Sequence, residues 1–90
     1  MHYAWDETKR EENLRKHGVD FSDAVGALED PASLSIEDPD AAGEARFLTL
    51  GRDFLSRVLL VVWTERAADR IRIISARKAS PGETRRYHGA

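Results

Sequence analysis

No cysteine occurs among the 90 residues of the chain. A disulfide scaffold and thiolate metal sites are therefore excluded, and a reducing compartment suits the chain. The opening residues, Met1-His2-Tyr3-Ala4-Trp5-Asp6, contain no apolar core of signal-peptide length. The longest apolar run, Val58 to Trp63, is far shorter than the roughly 20 residues needed to cross a bilayer. The expectation is a cytoplasmic protein without a membrane segment. The three histidines, His2, His17 and His88, show no i,i+4 pairing and no HExxH, so neither a metal site nor a cofactor is expected. Walker loops, GxGxxG and nucleophile elbows are also missing. No serine has a base partner nearby in sequence.

What is present is charge, unevenly placed. Charged residues make up 33% of the chain and hydrophobic residues 41%, a composition that folds as one domain over residues 1–90 with one modest core. The net charge of −2 conceals two halves. Residues 1–45 carry four Lys and Arg against twelve Asp and Glu, a net of −8; residues 46–90 carry ten cations against four acids, a net of +6. Nine of those ten cations are arginine, the side chain whose fork of donors matches a phosphate. The segregated basic half fits a nucleic-acid surface or, more simply, an ordinary solvated face.

The local signals alternate between helix and strand. Tyr3 to Trp5 reads as a short strand. Asp6 is placed to cap a helix running to about His17, with Glu7 in its first turn, Lys16 and His17 in its last, and Gly18 ending it. Asp20 caps a second helix to about Glu29, whose apolar stripe is Phe21, Ala24, Val25 and Leu28; Asp30-Pro31 ends it. The period then changes to two. Leu34 and Ile36 mark a strand, Asp38 to Gly43 a loop, and Arg46, Leu48 and Leu50 one face of the next strand. That placement aims Arg46 at a partly buried surface. Val58 to Trp63, apolar on both faces, is the expected central strand, and Ile71 to Ala76 pairs with it as a hairpin across a polar turn. With Ile71 and Ile73 facing the core, Ser75 and Arg77 continue that face while Arg70 and Arg72 take the other. Ser80-Pro81-Gly82-Glu83 is a capping box opening a helix to about His88. The order predicts an α+β fold: two N-terminal helices on a mainly antiparallel sheet of four to five strands, a short C-terminal helix, and helices chiefly on one side.

Arginine density around two strands points to phosphate chemistry. Metal-free RNA cleavage needs a proton taken from the 2′-hydroxyl, charge stabilised on the phosphorane, and a proton given to the leaving 5′-oxygen. Arginine supplies the second requirement. His17, Lys16, Lys78, Glu83, Tyr87 and His88 are the titratable candidates for the others. The capping box by itself accounts for Glu83, and Tyr87, four residues on, shares its helical face. Trp5 and Trp63 sit in apolar segments and read as core rather than as base-stacking platforms.

Several blocks together resemble the BrnT family of toxins from bacterial type II toxin–antitoxin systems. Trp5-Asp6 followed by Lys9, then Asn13 to Phe21 and Ala24, form one block. Arg46 before an apolar strand and Gly51, then Arg72 to Ser80 with Glu83 and Tyr87, form the other. The resemblance implies a fold related to the RelE-like ribonucleases, RNA cleavage that halts translation, and neutralisation by a BrnA-type antitoxin. That antitoxin carries a ribbon-helix-helix domain, so DNA is reached only through it. Residue by residue, the resemblance makes Arg46, Arg77 and Lys78 catalytic, with His17, Glu83 and Tyr87, and gives Lys16, Arg72, Arg85 and Arg86 to RNA binding. Where the family tends to follow the helix glutamate with arginine, this chain has Thr84; that arginine's role is either shifted to Arg86 or lost. The competing reading is a non-catalytic basic module that binds RNA or an acidic protein partner. The acidic half, Glu11 and Glu12 included, is expected to narrow any RNA groove by repulsion.

Overall fold

The computed structural model describes residues 1–89. Its elements follow the expected order: β1 (His2–Ala4), α1 (Glu7–His17), α2 (Phe21–Glu29), β2 (Leu34–Glu37), β3 (Phe47–Arg52), β4 (Val58–Ala67), β5 (Arg70–Lys78) and α3 (Pro81–Tyr87). The sheet runs β1-β5-β4-β3-β2. All pairings are antiparallel except that of β1 with β5. The last two strands are longer than the apolar pattern predicts, because pairing carries the hairpin past the apolar residues on both sides.

Local chemistry explains the helix ends. The Asp6 carboxylate accepts from the Lys9 amide at 3.0 Å and caps α1. Gly18, at φ 69°, returns its amide to the Leu14 carbonyl; the left-handed backbone there suits glycine. Asp20 caps α2 through the Ser22 amide and is gripped by Arg10 through two 2.9 Å bonds. That grip holds the Asp20 carboxyl at a pKa of about 2.

The core lies between α2 and one sheet face. Val19, Phe21, Ala24 and Ala27 meet Leu59, Val61, Ile73 and Ala76, with Trp5, Val25, Leu28 and Trp63 around them. Burying Phe21 contributes about 2–3 kcal/mol. Gly51 lets α2 lie directly on β3, since a Cβ there would collide with the Ala27 backbone. Helix α1 buries little besides Asn13. The Asn13 side chain completes the sheet edge where β1 has ended: its amide donates to the Ala76 carbonyl (2.8 Å), its oxygen accepts from the Ala76 amide (3.1 Å), and it also donates to the Val19 carbonyl. One side chain thus docks α1 on β5.

One expectation gains detail and one is corrected. Helix α3 lies on the sheet face away from α1 and α2: Glu83 and Arg86 share a hollow with Leu48, Leu50 and Leu60, whose neighbours Thr49 and Val61 bury on the other side. A register shift beside Val62 and Trp63 also leaves Ile74 unpaired in the β5 ladder. This bulge puts both Ile73 and Ala76 in the core and turns Ser75 and Arg77 to the second face, together with Arg72. Alternation without the bulge had separated Arg77 from Arg72. Among the described residues, no helix is long and apolar enough to cross a membrane.

Candidate nucleic-acid interface

Three adjoining cavities form one cationic band along the seam of α1, β5 and the end of β4. The first, of about 430 Å³, lies between Trp5 and Asp6 on one side and Arg66, Arg70 and Arg72 on the other. The second, about 170 Å³, shares Arg66 and Arg72 with it and adds Lys9, Arg46, Glu44 and Thr64. The third, about 250 Å³, shares Lys9 and continues to Glu12, Lys16, His17 and Ser75.

Each cation is brought there by an identifiable local cause. Thr64 donates to the Ala45 carbonyl at 2.8 Å, pinning the chain ahead of β3 so that Arg46 stands beside Arg72, the register partner of Thr64. Arg46 is therefore exposed and precedes β3, in contrast to the partly buried strand position expected for it. A second register shift, between Glu65 and Ala67, sets Arg66 at the hairpin end. Lys9 and Lys16, seven residues apart, project from the same side of α1.

Among the described residues Lys9, Lys16, Arg46, Arg70 and Arg72 make no ion pair, and Arg66 has a loose one, 3.6 Å from Glu44. Arg72 is half-buried. A half-buried guanidinium without a counter-ion is costly, and an incoming anion removes that cost.

The α3 end differs. Arg77 donates to both Glu83 carboxylate oxygens, at 2.8 and 2.9 Å. Glu83 also accepts from the Ser80 amide while Ser80 caps the Glu83 amide. The Arg77 bonds, strengthened by the capping contacts, hold the Glu83 carboxyl at a pKa of about 2; the same pairing raises that of Arg77. Tyr87 donates to Asp30 at 2.5 Å, which raises the tyrosine pKa. Burial by itself would raise the Asp30 pKa, but bonds from Tyr87 and the Arg52 and Ala32 amides outweigh it, and the net shift is downward. Arg52 sits over the Tyr87 ring at 5.8 Å.

Of the residues expected to form a site, the structure groups Arg46, Arg72, Lys16 and His17. It sets Arg77, Glu83, Tyr87, Lys78, Arg85 and Arg86 at or beyond the other end of β5. Lys78 and Arg85 are exposed, and Arg86 borders an apolar hollow with Leu34, Ile36 and Leu60. Lys9, Arg66 and Arg70 belong to the band and were not among the expected site residues; Trp5, read from the sequence as core, packs against the core and also lines the band. The Lys9–Lys16 spacing was a usable signal; for Arg66, which needs the register shift, the sequence offers none. Among the described residues no three His, Cys, Asp or Glu side chains converge as a metal set.

A model for the family described as ribonuclease toxin, BrnT, of type II toxin–antitoxin system matches residues 5–83. A solved structure titled as the Brucella abortus ribonuclease toxin BrnT is similar to this chain at 28% identity and a TM-score of 0.65, covering 89% of this chain and 99% of that one. A comparison with curated proteins finds no match.

Proposed function

The chain belongs to the BrnT family of ribonuclease toxins of type II toxin–antitoxin systems, and from that premise we propose that it cleaves single-stranded RNA in the cationic band without a metal ion. The observation that carries this reading is the row of arginines and lysines lacking partners, Arg72 above all, set beside His17, Lys16 and Ser75.

In the proposed reaction the 2′-oxygen attacks the neighbouring phosphorus, forming the P–O2′ bond as the P–O5′ bond breaks. The products are a 2′,3′-cyclic phosphate and a 5′-hydroxyl. Arg46, Arg66 and Arg72 hold the non-bridging oxygens and stabilise the charge that grows on them, the role preorganised donors fill in other phosphoryl chemistry. His17 and Lys16 are proposed to take the 2′-hydroxyl proton and to return one to the 5′-oxygen. Arg77, Glu83 and Tyr87 are proposed as positioning residues that hold α3 against β3 and β5. Lys78, Arg85 and Arg86 add positive potential at the far end of the track. Cleavage of cellular RNA halts translation in the cytoplasm. A BrnA-type antitoxin with a ribbon-helix-helix domain neutralises the chain and supplies any DNA contact.

The test is incubation of a defined RNA with purified protein in excess EDTA. Cleavage leaving cyclic-phosphate ends is the expected result. Cleavage that requires added divalent metal contradicts the metal-free chemistry. An intact RNA that the folded protein still binds favours the non-catalytic module.

A further inference from the structure

The two tryptophans are built differently. Trp63 donates its indole N–H to the Thr49 hydroxyl at 2.8 Å and stacks on Phe47, with centroids 4.7 Å apart at 24°. Its donor and one face are consumed by the fold. Trp5 is half-buried at the edge of the core and meets Phe21 edge-on, 6.0 Å apart at 72°. Its indole N–H makes no hydrogen bond within the described residues, and the T-shaped contact with Phe21, unlike the stacking of Trp63 on Phe47, does not lay one ring flat on the other.

Trp5 also opens onto the largest cavity of the cationic band, about 430 Å³. That volume lies within the range of small-ligand sites and far exceeds the ~30 Å³ of one water. Three arginines, Arg66, Arg70 and Arg72, form its other side. Its one acid, Asp6, is engaged in capping α1, where the helix dipole favours its charge. β1 fixes the spacing: Ala4 pairs with Arg72 and His2 with Arg70, so the residue after the strand is held beside the arginine row.

We infer that this cavity is a nucleobase subsite, in which one unpaired base stacks on Trp5 while Arg66, Arg70 and Arg72 hold its flanking phosphates. An aromatic face beside a row of cations spaced along a strand is the arrangement that binds single strands, whose bases offer free π-faces; in a duplex those faces are covered. The inference rests on the RNA track proposed above and adds that the track reads bases as well as phosphates.

The test uses the Trp63→Phe protein, in which Trp5 is the one remaining tryptophan. A 2′-O-methyl RNA pentanucleotide, which the 2′-oxygen cannot cleave, is titrated by anisotropy of an end label and by tryptophan emission, with inorganic polyphosphate as the base-free probe. Stacking predicts that the RNA quenches Trp5 and that polyphosphate binds without quenching. Trp5→Leu in this background is expected to lose about tenfold or more in RNA affinity and little for polyphosphate, and Trp5→Phe to recover most of the loss. Thermal melting checks that each variant is folded. RNA binding with unchanged Trp5 emission overturns the base subsite and leaves the track standing; equal quenching by polyphosphate overturns it too. A folded protein that binds neither probe overturns both.

Discussion

Arg72 and Arg77 lie on the same strand and the same sheet face, five positions or roughly 16 Å apart, and their surroundings are opposite. Arg77 has both arms on one carboxylate, and that carboxylate is itself fixed by a capping box. Arg72 is half-buried among Lys9, Arg46 and Arg66 and forms no ion pair, the Glu44 of that cavity being turned toward Arg66. The first guanidinium already has its anion; the second lacks one. Residue type alone does not distinguish them, and in sequence Arg77 even looks the stronger candidate. What separates them is where the acids fall: Glu83 is six residues from Arg77, whereas the acids of the first half are turned toward other partners, as Asp20 is toward Arg10 and Asp30 toward Tyr87.

Cleavage is where the contrast should be largest. Replacing Arg72 with alanine is expected to slow RNA cleavage by about 10²–10³-fold with the unfolding midpoint nearly unchanged; a large stability loss with cleavage retained would make Arg72 structural. Next in size is the seam that carries the band. Asn13→Leu removes three bonds and strands buried backbone groups, so it should cost about 2–4 kcal/mol in denaturant unfolding, and a smaller cost would mean that α1 docks by other contacts. For the paired arginine the effect moves to stability. A double-mutant cycle on Arg77→Ala and Glu83→Gln should give a coupling of about 1 kcal/mol, with cleavage changed less than tenfold.

The acid limb of the stability curve sharpens that pair. Glu83 and Asp20 are held at about 2, below their ordinary 4.5 and 3.8. Their folded values are depressed, so their contribution is fully present above the ordinary values and is lost as the pH falls toward 2. Glu83→Gln should remove its share of the wild type's decline in that window, and an unchanged acid limb would count against the pair. The smallest effect is electrostatic. Each cation that neutralises a phosphate contributes about 0.7 to the slope of log affinity against log salt for single strands; Arg70→Gln should lower the slope by that amount and Arg85→Gln should not change it.

Much of the fold was legible in the sequence because its cues are local. Asp6, Asp20 and Ser80 cap helices where their spacing predicts, Gly18 stops α1, and the Phe21–Leu28 stripe faces the core, with Phe21 and Ala24 buried and Val25 and Leu28 partly buried against it. The family resemblance rests on the same contiguous blocks and is upheld by the match over residues 5–83. The site was less legible, since it depends on non-local geometry. One unpaired residue at Ile74 moves Arg77 to the other face, and strict alternation cannot reveal a bulge. The bond from Thr64 to Ala45 that places Arg46 joins residues 19 apart. Asn13 and the buried Asp53, whose carboxylate binds Arg57 at 2.8 Å, were passed over because polar residues in surface helices and turns read as solvated.

The central claim, that RNA lies along the unpaired cations and leaves the paired end alone, is tested most directly by NMR. ¹⁵N-labelled protein is titrated with the 2′-O-methyl pentanucleotide while the arginine side-chain Nε–Hε signals are followed. The account predicts shifts at Arg46, Arg66, Arg70 and Arg72 and a stationary Arg77. Shifts centred on Arg77 and α3, with Arg72 unmoved, would contradict it.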